Sequence, residues 1–523
     1  MQTTTVRAPN GMVASVDHLA SEAGVHVLRT GGSAVDAAIA ANAVLAVTAP
    51  HLCGMGGDLF ALVHAPGAPE PVALSAVGRA GSGVDAAALR AEGHTTMPFR
   101  HDLRTATVPG CVDGWVALHE RFGRLPLGAV LASAIGYARD GFNASPALAF
   151  TAASLAGDDA ARELGRPIRA GERITRLGVA GALEAVATEG RDGFYRGAFG
   201  DGLLALGQDT YTASDLEQAL AEWVVPLRAD VWGHAVWTLP PPSQGYLTLL
   251  GAAIAAGVDL PDDPRDGQWA HLLVESARAA AHDRTDVLHE HADVRPLLGD
   301  AEVVRRRALV DPQARAQLRS PAATGDTMFL CAVDADGTGV SLIQSNAKDF
   351  GSLVFEPATG IGLHNRGLGF SLVHGHPAEA GPGRRPPHTL APALVTHLDG
   401  RLRAVVGTMG GDTQPQIVLQ LLARLLRRES SAGSVIGAPR WAVTAPSSTG
   451  FDTWVDADAT HVSVEPDAPA GWAEVLRERG HEVDVADGVT GGFGHAQLIE
   501  VGADGTLAGA ADPRALVGAA IGY

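Results

Sequence analysis

Two apolar runs joined by a tight turn restrict the fold of this chain more than any other feature. Residues 327–334 and 340–345 each have the composition of a strand, and Asp336-Gly337 between them is a strong hairpin signal. Another strand-like run, residues 402–406, is followed by glycines and then by apolar residues at helical spacing from Ile417. Strands separated by helices in a chain of 523 residues predict an α/β (α+β) protein built as a layered αββα sandwich.

The N-terminal part of the chain is predicted to be mainly helical, with one glycine-rich loop. Ser33 is placed to cap a helix that ends near Pro50, and residues 107–142 also have helical spacing. The loop, residues 53–58, follows that first helix and opens a strand at Leu59. A dinucleotide-binding loop follows a strand and opens a helix, so we interpret this loop as close backbone packing or a pocket wall.

Net charge, cysteine content and the apolar segments limit which binding partners and which cellular compartment we expect. The formal net charge is −19, which repels phosphate backbones and anionic lipid, so we expect no nucleic-acid or membrane partner. Cys53, Cys111 and Cys331 fit neither a disulfide framework nor a zinc motif, and we expect no metal site. Residues 1–10 lack the apolar segment of a secretion signal and residues 34–47 are too short to span a bilayer, so we expect a cytoplasmic protein.

Thr327 opens the first strand of the hairpin and is a candidate nucleophile. A threonine hydroxyl attacks efficiently only when a base removes its proton, and no local spacing indicates a Ser-His-Asp triad. If the peptide bond between Asp326 and Thr327 is cut, the new α-amino group, with an ordinary pKa of about 8, lies beside that hydroxyl. The simpler interpretation of Thr327 is a β-branched residue that favours a strand.

Gly410 and Gly411 stand between a predicted strand and a predicted helix. The first N–H groups of a helix have no partner within it, so this position can present backbone donors to an oxyanion. The alternative is a tight turn that links the strand to the helix without a catalytic role.

Short motifs follow one another in a fixed order along nearly the whole chain. They are residues 11–15, 31–38, 108–110, 113–115, 121–123, 241–245, 283–284, 326–327, 333–337, 340–342, 350–351, 382–383, 385–386, 410–411 and 438–440. In this order they resemble the γ-glutamyltransferase (glutathione hydrolase) family.

The resemblance implies a four-layer αββα sandwich of the N-terminal-nucleophile hydrolase type. Self-cleavage before Thr327 would give residues 1–326 and 327–523, which stay associated as one folded unit, and further oligomerisation is left open. Thr327 would attack a small-molecule amide, and water or an amino acid would take the acyl group. By the same resemblance, Ser345 bonds the nucleophile's amino group and Gly410 and Gly411 form the oxyanion hole. No cofactor is implied.

The resemblance also assigns a substrate pocket. Its residues are Arg79, Asn365, Arg366, His388 and Thr389. Arg79 is the best match to the family's arginine for the substrate α-carboxylate, and a guanidinium fork suits a carboxylate. The alternative is that Arg79 is an ordinary surface arginine.

Four positions in three segments depart from the family's pattern. Gly369 stands where the best-studied members have an Asp that binds the substrate α-amino group, His388-Thr389 replaces a Ser-Ser pair, and Ala347 replaces a typical Asn. A lost acid and a gained Arg366 predict a more positive pocket that favours a carboxylate without an α-ammonium. The alternative is that Asp349 takes the place of the missing acid. A branch with this altered pattern includes glutathione hydrolase-like proteins, cephalosporin acylases and an oxamate amidohydrolase.

Three functions follow from these residues. The first is a hydrolase or transferase of γ-glutamyl compounds such as glutathione. The second is an amidase or acylase for a dicarboxylic monoamide (glutaryl or oxamate-like) or an N-acyl compound. The third, from another class, is an uncleaved relative that binds a small molecule without catalysis.

Overall fold

Two seven-stranded antiparallel sheets pack face to face at the centre of the fold. The structure is a computed structural model that describes residues 1, 3–319, 327–428, 430–445, 460–488 and 491–523. Its strands are β1 (Val6–Ala8), β2 (Met12–Ser15), β3 (Asp58–His64), β4 (Val72–Ala76), β5 (Phe142–Asn143), β6 (Arg173–Ile174), β7 (Ala221–Val224), β8 (Leu227–Val231), β9 (His234–Thr238), β10 (Met328–Val333), β11 (Gly339–Ser345), β12 (Phe355–Glu356), β13 (Ile361–Gly362), β14 (Ala393–His397), β15 (Leu402–Thr408), β16 (Trp441–Thr444), β17 (His461–Val464), β18 (Val483–Val485), β19 (Ala496–Val501), β20 (Leu507–Ala511) and β21 (Ala519–Gly522).

Helices cover the outer faces of both sheets. They are α1 (His18–Arg29), α2 (Ala34–Thr48), α3 (Ala86–Ala91), α4 (Cys111–Phe122), α5 (Leu127–Asp140), α6 (Pro146–Ala152), α7 (Leu177–Glu189), α8 (Arg191–Tyr195), α9 (Ala198–Leu206), α10 (Ala213–Glu217), α11 (Tyr246–Ala255), α12 (Gly267–Ala281), α13 (Arg284–Val287), α14 (Asp300–Arg307), α15 (Gln414–Leu422), α16 (Ala432–Gly437) and α17 (Ala470–Glu478). No helix within the described ranges is long and apolar enough to cross a membrane.

The order of strands interleaves distant parts of the chain. The first sheet runs β21-β2-β10-β11-β3-β4-β7, and the second runs β1-β20-β19-β15-β14-β9-β8. The predicted hairpin is confirmed as β10 and β11, with Met328 opposite Gln344 and Val333 opposite Gly339. The hairpin lies at the middle of the first sheet, between β2 and β3.

Side-chain alternation along β10 shows how the layers are built. Phe329, Cys331 and Val333 belong to the apolar cluster between the two sheets, whereas Met328 and Leu330 belong to the cluster beneath the helices. Successive residues of a strand point to opposite faces, so this strand is apolar on both sides. A buried Phe side chain contributes about 1.5–3 kcal/mol. The four-layer αββα prediction is confirmed by these clusters.

The helices that position the site follow the local signals closely. Ser33 caps α2 as predicted, and its hydroxyl and the Asp36 carboxylate form a reciprocal capping box. The predicted helical stretch 107–142 is two helices, α4 and α5, because Pro126, the residue that caps the start of α5, cannot continue a helix from before it.

Asp36 joins the start of α2 to the loop before α5. Its replacement should therefore lower the free energy of unfolding more than the loss of an ordinary helix cap does. The fully buried carboxylate accepts hydrogen bonds from the backbone N–H groups of Ser33, Arg124 and Leu125 at 2.9, 2.8 and 3.3 Å. We expect Asp36→Ala to lower the free energy of unfolding by about 3 kcal/mol or more, because three donors lose a charged acceptor. The exposed cap Asp85, which accepts from Ala87 alone, is the control, and Asp85→Ala should cost about 1 kcal/mol. Thermal midpoints at one scan rate measure both, and equal losses would contradict the assignment.

Candidate active site

Thr327 lies directly before β10 and is fully buried. Its side-chain oxygen Oγ1 donates a hydrogen bond of 3.0 Å to Ser345 Oγ, at the end of the neighbouring strand. Asp326, the other residue of the predicted cleavage site, lies outside the described residues, so the division into 1–326 and 327–523 stays a prediction. The structure brings Thr327 and Ser345 together through their hydroxyls, and a bond from Ser345 to the Thr327 amino group stays a prediction.

Ser345 also fixes the backbone that follows it. Its Oγ accepts a hydrogen bond of 2.8 Å from the N–H of Ala347, which has a φ of 78°. This left-handed conformation costs a residue with a Cβ about 1 kcal/mol, and the hydroxyl offsets part of that cost. Ser345 therefore links the candidate nucleophile to the turn after β11.

Gly410 and Gly411 lie in the turn between β15 and α15. Their φ angles are 140° and 60°, a region that favours glycine, and a short 3₁₀ turn over Gly411–Thr413 leads into the helix. Further back on β15, a Cβ on Gly407 would lie 2.5 Å from the ring of Phe329, so the end of β15 crosses closely over the start of β10. The two-glycine turn begins three residues after this crossing.

Gln244 supports that turn from the other side. Its Nε2 donates to the carbonyl oxygens of Thr389 and Gly411 at 2.7 and 3.0 Å, and its own N–H donates to the carbonyl of His388 at 3.0 Å. The side chain is fully buried. Gln244 thus holds the two-glycine turn against the loop that carries His388 and Thr389.

Arg366 and Thr389 meet in the interior. Arg366 Nη1 donates a hydrogen bond of 2.9 Å to Thr389 Oγ1, and the guanidinium is 1% exposed. Burial lowers the pKa of Arg366 to about 10, against the opposing influence of Asp58 and Asp412. Arg366 therefore keeps its positive charge at neutral pH.

Asn365 lies next to Arg366 and connects two loops. Its Oδ1 accepts from the N–H of Lys348 at 3.2 Å, and its Nδ2 donates to the carbonyl of Phe99 at 3.1 Å. Asp349, the alternative acid for the pocket, forms an ion pair of 2.7 Å with Arg100. Its carboxylate is already matched by a cation, which weakens that alternative.

Arg79 is already bound to other residues of the protein. Its guanidinium bonds Glu222 at 3.1 Å and the carbonyl of Gly383 at 3.0 Å, and 23% of its side chain is exposed. A substrate carboxylate would have to compete with Glu222 for it.

His388 packs against a buried carboxylate that the sequence analysis did not single out. His388 Nε2 lies 3.4 Å from Asp58 Oδ2, and both side chains are fully buried. Burial lowers the pKa of His388 to about 4, although Asp58 opposes that shift, so the imidazole is neutral at pH 7. Burial by itself raises the pKa of Asp58, but His364, His388 and the N–H of Gly78 together lower it to about 2.

These charges correct the expected electrostatics of the pocket. The expectation of a more positive pocket counted Arg366 but not Asp58, and His388 adds no charge. Arg284 lies 2.9 Å from Asp412, the residue after Gly411, and both are almost fully buried. The anions Asp58 and Asp412 therefore accompany the buried cations Arg366 and Arg284. Selectivity among substrates then depends on which of these groups face the substrate.

A cavity of about 400 Å³ opens beside these residues. Its lining comprises Thr95, Thr96, Arg284, Thr285, Leu288, Leu368, Gly369, Phe370, Ser371, Leu372, Val373, His376, Ala378 and Pro387. Gly369, at the position of the missing acid, is part of the wall, and none of these described lining residues is an Asp or a Glu. A Cβ on Gly369 would lie 2.4 Å from the carbonyl oxygen of Pro387, so the backbone here has no room for an acidic side chain.

Three supporting residues were missed because their partners are far away in the chain. Asp58 ends the glycine-rich loop, Gln244 follows a run of prolines, and Asp412 follows the paired glycines, so each stood inside a motif that was noted. An Asp directly after paired glycines, or a Gln two residues after a proline run, was the available signal. No cluster of three or more His, Cys, Asp or Glu that could hold a metal ion occurs in the described part of the chain.

Loss of the Gln244 side chain should slow turnover through the two-glycine turn. We expect Gln244→Leu to lower kcat about tenfold or more, because the Gly411 carbonyl loses its donor and the turn relaxes; complete loss of an oxyanion donor costs about 10²–10³. Gln420 is the matched control, since its buried Nε2 also donates to two carbonyls, of Gln416 and Trp441, in the outer helical layer. Gln420→Leu should lower the thermal midpoint and leave kcat within about twofold, because its bonds lie away from the site. Similar losses of kcat in both variants would argue against a specific role for Gln244.

Comparison with known proteins agrees with this geometry. The oxamate amidohydrolase proenzyme of Klebsiella pneumoniae is 36% identical over 535 residues, covering 98% of each chain. The glutathione hydrolase-like YwrD proenzyme of Bacillus subtilis is 33% identical over 534 residues, again covering 98% of each. The crystal structure of a cephalosporin acylase from Bacillus halodurans matches with a TM-score of 0.90 at 32% identity, covering 100% of this chain and 97% of that one.

A sequence model of the family described as gamma-glutamyltranspeptidase matches residues 20–522. The match spans nearly all of the chain, including every strand of the two large sheets except β1 and β2 and every motif that carried the resemblance except the first. The chain therefore belongs to the gamma-glutamyltranspeptidase family and is an enzyme of the N-terminal-nucleophile hydrolase and acyltransferase type.

Proposed function

We propose that the chain cleaves itself before Thr327 and then hydrolyses an amide whose acyl group carries a carboxylate but no α-amino group. The observation that carries the proposal is the fully buried Thr327 at the start of a strand, with Oγ1 3.0 Å from Ser345 Oγ. The paired glycines at the end of β15 supply the second half of the machinery.

The reaction divides into two acyl transfers. After cleavage, the α-amino group of Thr327 takes the proton of its own hydroxyl, and Oγ1 attacks the substrate carbonyl. The N–H groups of Gly410 and Gly411 stabilise the oxyanion, the amine leaves with the proton, and an ester to Thr327 forms. Water, activated by the same amine, hydrolyses that ester and releases the acid. Ser345 positions the amine and hydroxyl throughout.

The lack of an Asp or Glu among the described residues of the cavity wall supports the choice of acyl group. An α-ammonium transferred from water into this site would lose its hydration without gaining a carboxylate partner, because Gly369 leaves no room for one and Asp349 pairs with Arg100. Arg284 lines the cavity but is paired with Asp412. Arg366, bonded to Thr389 and two residues before the lining residue Leu368, is the cation that we propose to match a carboxylate at the far end of the acyl group. The relatives named an oxamate amidohydrolase and a cephalosporin acylase support the same choice.

A second candidate is hydrolysis of γ-glutamyl compounds such as glutathione. The relative from Bacillus subtilis, 33% identical over nearly its whole length, is named glutathione hydrolase-like. In that case the α-amino group would remain partly hydrated at the mouth of the cavity, and Arg79 would exchange Glu222 for the substrate carboxylate.

Replacement of the nucleophile should abolish both processing and catalysis. We expect wild-type protein to run as fragments of about 33 and 20 kDa, in proportion to 326 and 197 of its 523 residues and its mass of 53.7 kDa. Thr327→Ala should run as one intact chain with no amide hydrolysis, because neither a hydroxyl nor a free amine is available. Thr327→Ser is the control and should still be cut, since it keeps the hydroxyl. Intact mass and N-terminal sequencing decide, and active protein without a chain that starts at Thr327 would refute the mechanism.

Arg366 and Arg79 are the two candidates for binding the substrate carboxylate. Testing variants of both against three related substrates distinguishes them. Glutaryl, γ-glutamyl and butyryl p-nitroanilides share the scissile bond and differ in the terminal carboxylate and the α-amino group. We expect kcat/KM for glutaryl to exceed that for γ-glutamyl by about tenfold or more, because one unpaired buried ammonium costs at least about 1–3 kcal/mol. Arg366→Met should lower kcat/KM for glutaryl by about 10- to 100-fold and leave butyryl nearly unchanged, as removal of a charged hydrogen bond predicts.

Arg79→Met is the matched control in that test. If Arg366 binds the carboxylate, Arg79→Met changes all three substrates by a similar small factor. A carboxylate-specific loss in Arg79→Met instead, or a preference for γ-glutamyl, would support the second candidate function and reject the first.

A further inference from the structure

Asp58 lies in one row with the two residues of the candidate nucleophile. It is the first residue of β3, and its Cα is paired with that of Ser345 on β11. Thr327 precedes Met328, whose partner is Gln344, so the same row continues to Thr327. Side chains directly opposite each other in antiparallel strands point to the same face of the sheet.

The face of the sheet can be read from neighbouring residues. Phe60 on β3, Phe329 on β10 and Ile343 on β11 all belong to the cluster between the two sheets. Each is two positions from Asp58, Thr327 or Ser345, and residues two apart in a strand share a face. The carboxylate of Asp58 therefore points into the same inter-sheet space as the two hydroxyls, with its strand two strand spacings, about 10 Å, from that of Thr327.

The surroundings of Asp58 keep it in place as an anion. Its Oδ1 accepts hydrogen bonds of 3.0 Å from the N–H groups of both Gly78 and Gly110, and its Oδ2 lies 3.4 Å from His388. The side chain is fully buried. Burial raises the pKa of Asp58, but His364, His388 and the N–H of Gly78 together lower it to about 2, and the two backbone donors also fix the position of the carboxylate.

We propose that Asp58 is a positioning residue whose fixed negative charge stabilises the protonated α-amino group of Thr327 during catalysis. The inference rests on the proposed function, in which that amine carries the proton from the Thr327 hydroxyl to the leaving amine. The proton moves from Oγ1 to the α-nitrogen as the C–O bond forms, and from that nitrogen to the leaving nitrogen as the amide C–N bond breaks. Between the two steps the amine is an ammonium, and a buried carboxylate in the same row lowers its energy.

Other charged and titratable groups face Asp58 from three segments. His388 lies before β14, His364 and Arg366 lie after β13, and Cys111 begins α4. Burial lowers the pKa of both histidines and raises that of the Cys111 thiol, so these three are neutral at pH 7 and Arg366 is the cation. The electrostatic potential at Thr327 has contributions from the Asp58 anion and the Arg366 cation. Loss of the Asp58 charge makes that potential more positive, which destabilises an ammonium at Thr327.

The test compares the pKa of the Thr327 amine in wild-type protein and in Asp58→Asn. Competitive acetylation of the mature protein at a series of pH values, read by mass spectrometry of the peptide that begins at Thr327, measures it directly. Without the anion the ammonium is less stable, so the amine pKa should fall by about one pH unit, as one charge about 10 Å away gives at an effective dielectric constant of about 20. The acidic limb of the kcat profile should move to lower pH by the same amount, and the plateau should fall about three- to tenfold because the amine is a weaker base.

Asp113→Asn is the matched control. Asp113 is another buried carboxylate that accepts from two backbone N–H groups, of Leu220 and Ala221, and pairs with Arg191 on the outer side of the sheet. It should leave the amine pKa unchanged even if the thermal midpoint falls.

A second variant keeps the test possible if Asp58→Asn does not fold. Asp58→Ser keeps an acceptor for the two N–H groups without the charge, and it should show the same fall in amine pKa. An unchanged amine pKa in either cleaved variant, a folded variant that stays uncut, or loss of folding in both would overturn the inference, because Asp58 would then be structural or needed only for cleavage. None of these results touches the proposed function, which fails only if no active chain starts at Thr327.

Discussion

The antiparallel pairing of β10 with β11 is the constraint on which the site depends. The register that places Met328 opposite Gln344 also brings Thr327 beside Ser345 and keeps both on the inter-sheet face. A slip of one residue would turn Thr327 toward the helices and carry its apolar neighbours out of the central cluster. Because β10 is apolar on both faces, hydrophobicity alone does not reject such a slip; the close packing of its side chains in the two clusters, such as Phe329 against Gly407, does. The position of the nucleophile is thus fixed by the burial of the whole hairpin.

Buried charge is the second organising feature, and it is balanced locally. Asp58 is held by backbone donors and His388, and Asp412 by Arg284, while Arg366 lies within the influence of both carboxylates. Removing one member of such a set leaves an uncompensated charge, which costs about 3–5 kcal/mol, whereas the complete set adds little net stability. The arrangement therefore serves to fix geometry and electrostatic field beside the nucleophile, more than to stabilise the fold.

The parts of this architecture that follow from local rules were predictable from the sequence. The turn at Asp336-Gly337, the cap at Ser33 and the strand-to-helix turn at Gly410-Gly411 each depend on hydrogen bonds within a few residues, and residue type decides them. The contact of Asp58 with His388 joins positions 330 residues apart, and that of Arg79 with Glu222 joins positions 143 apart. Such pairs are set by how the layers stack, which no local pattern encodes. The same reason explains why the pocket was expected to be more positive: the acids that accompany Arg366 come from other elements.

The strand order also bears on what a cut before Thr327 would do. Among the described strands, five pairings join a strand from before position 327 to one from after it: β1 with β20, β2 with β10, β2 with β21, β3 with β11, and β9 with β14. Separating the two pieces would break hydrogen-bond ladders inside both sheets and expose the apolar layer between them. Cleavage would create two new chain ends, and the one that begins at Thr327 would stay at the start of a central strand that the rest of the structure holds in register. The amine and the hydroxyl belong to one residue in any case; what the association of the fragments preserves is their place in the sheet, in a hairpin held between β2 and β3 of the other fragment.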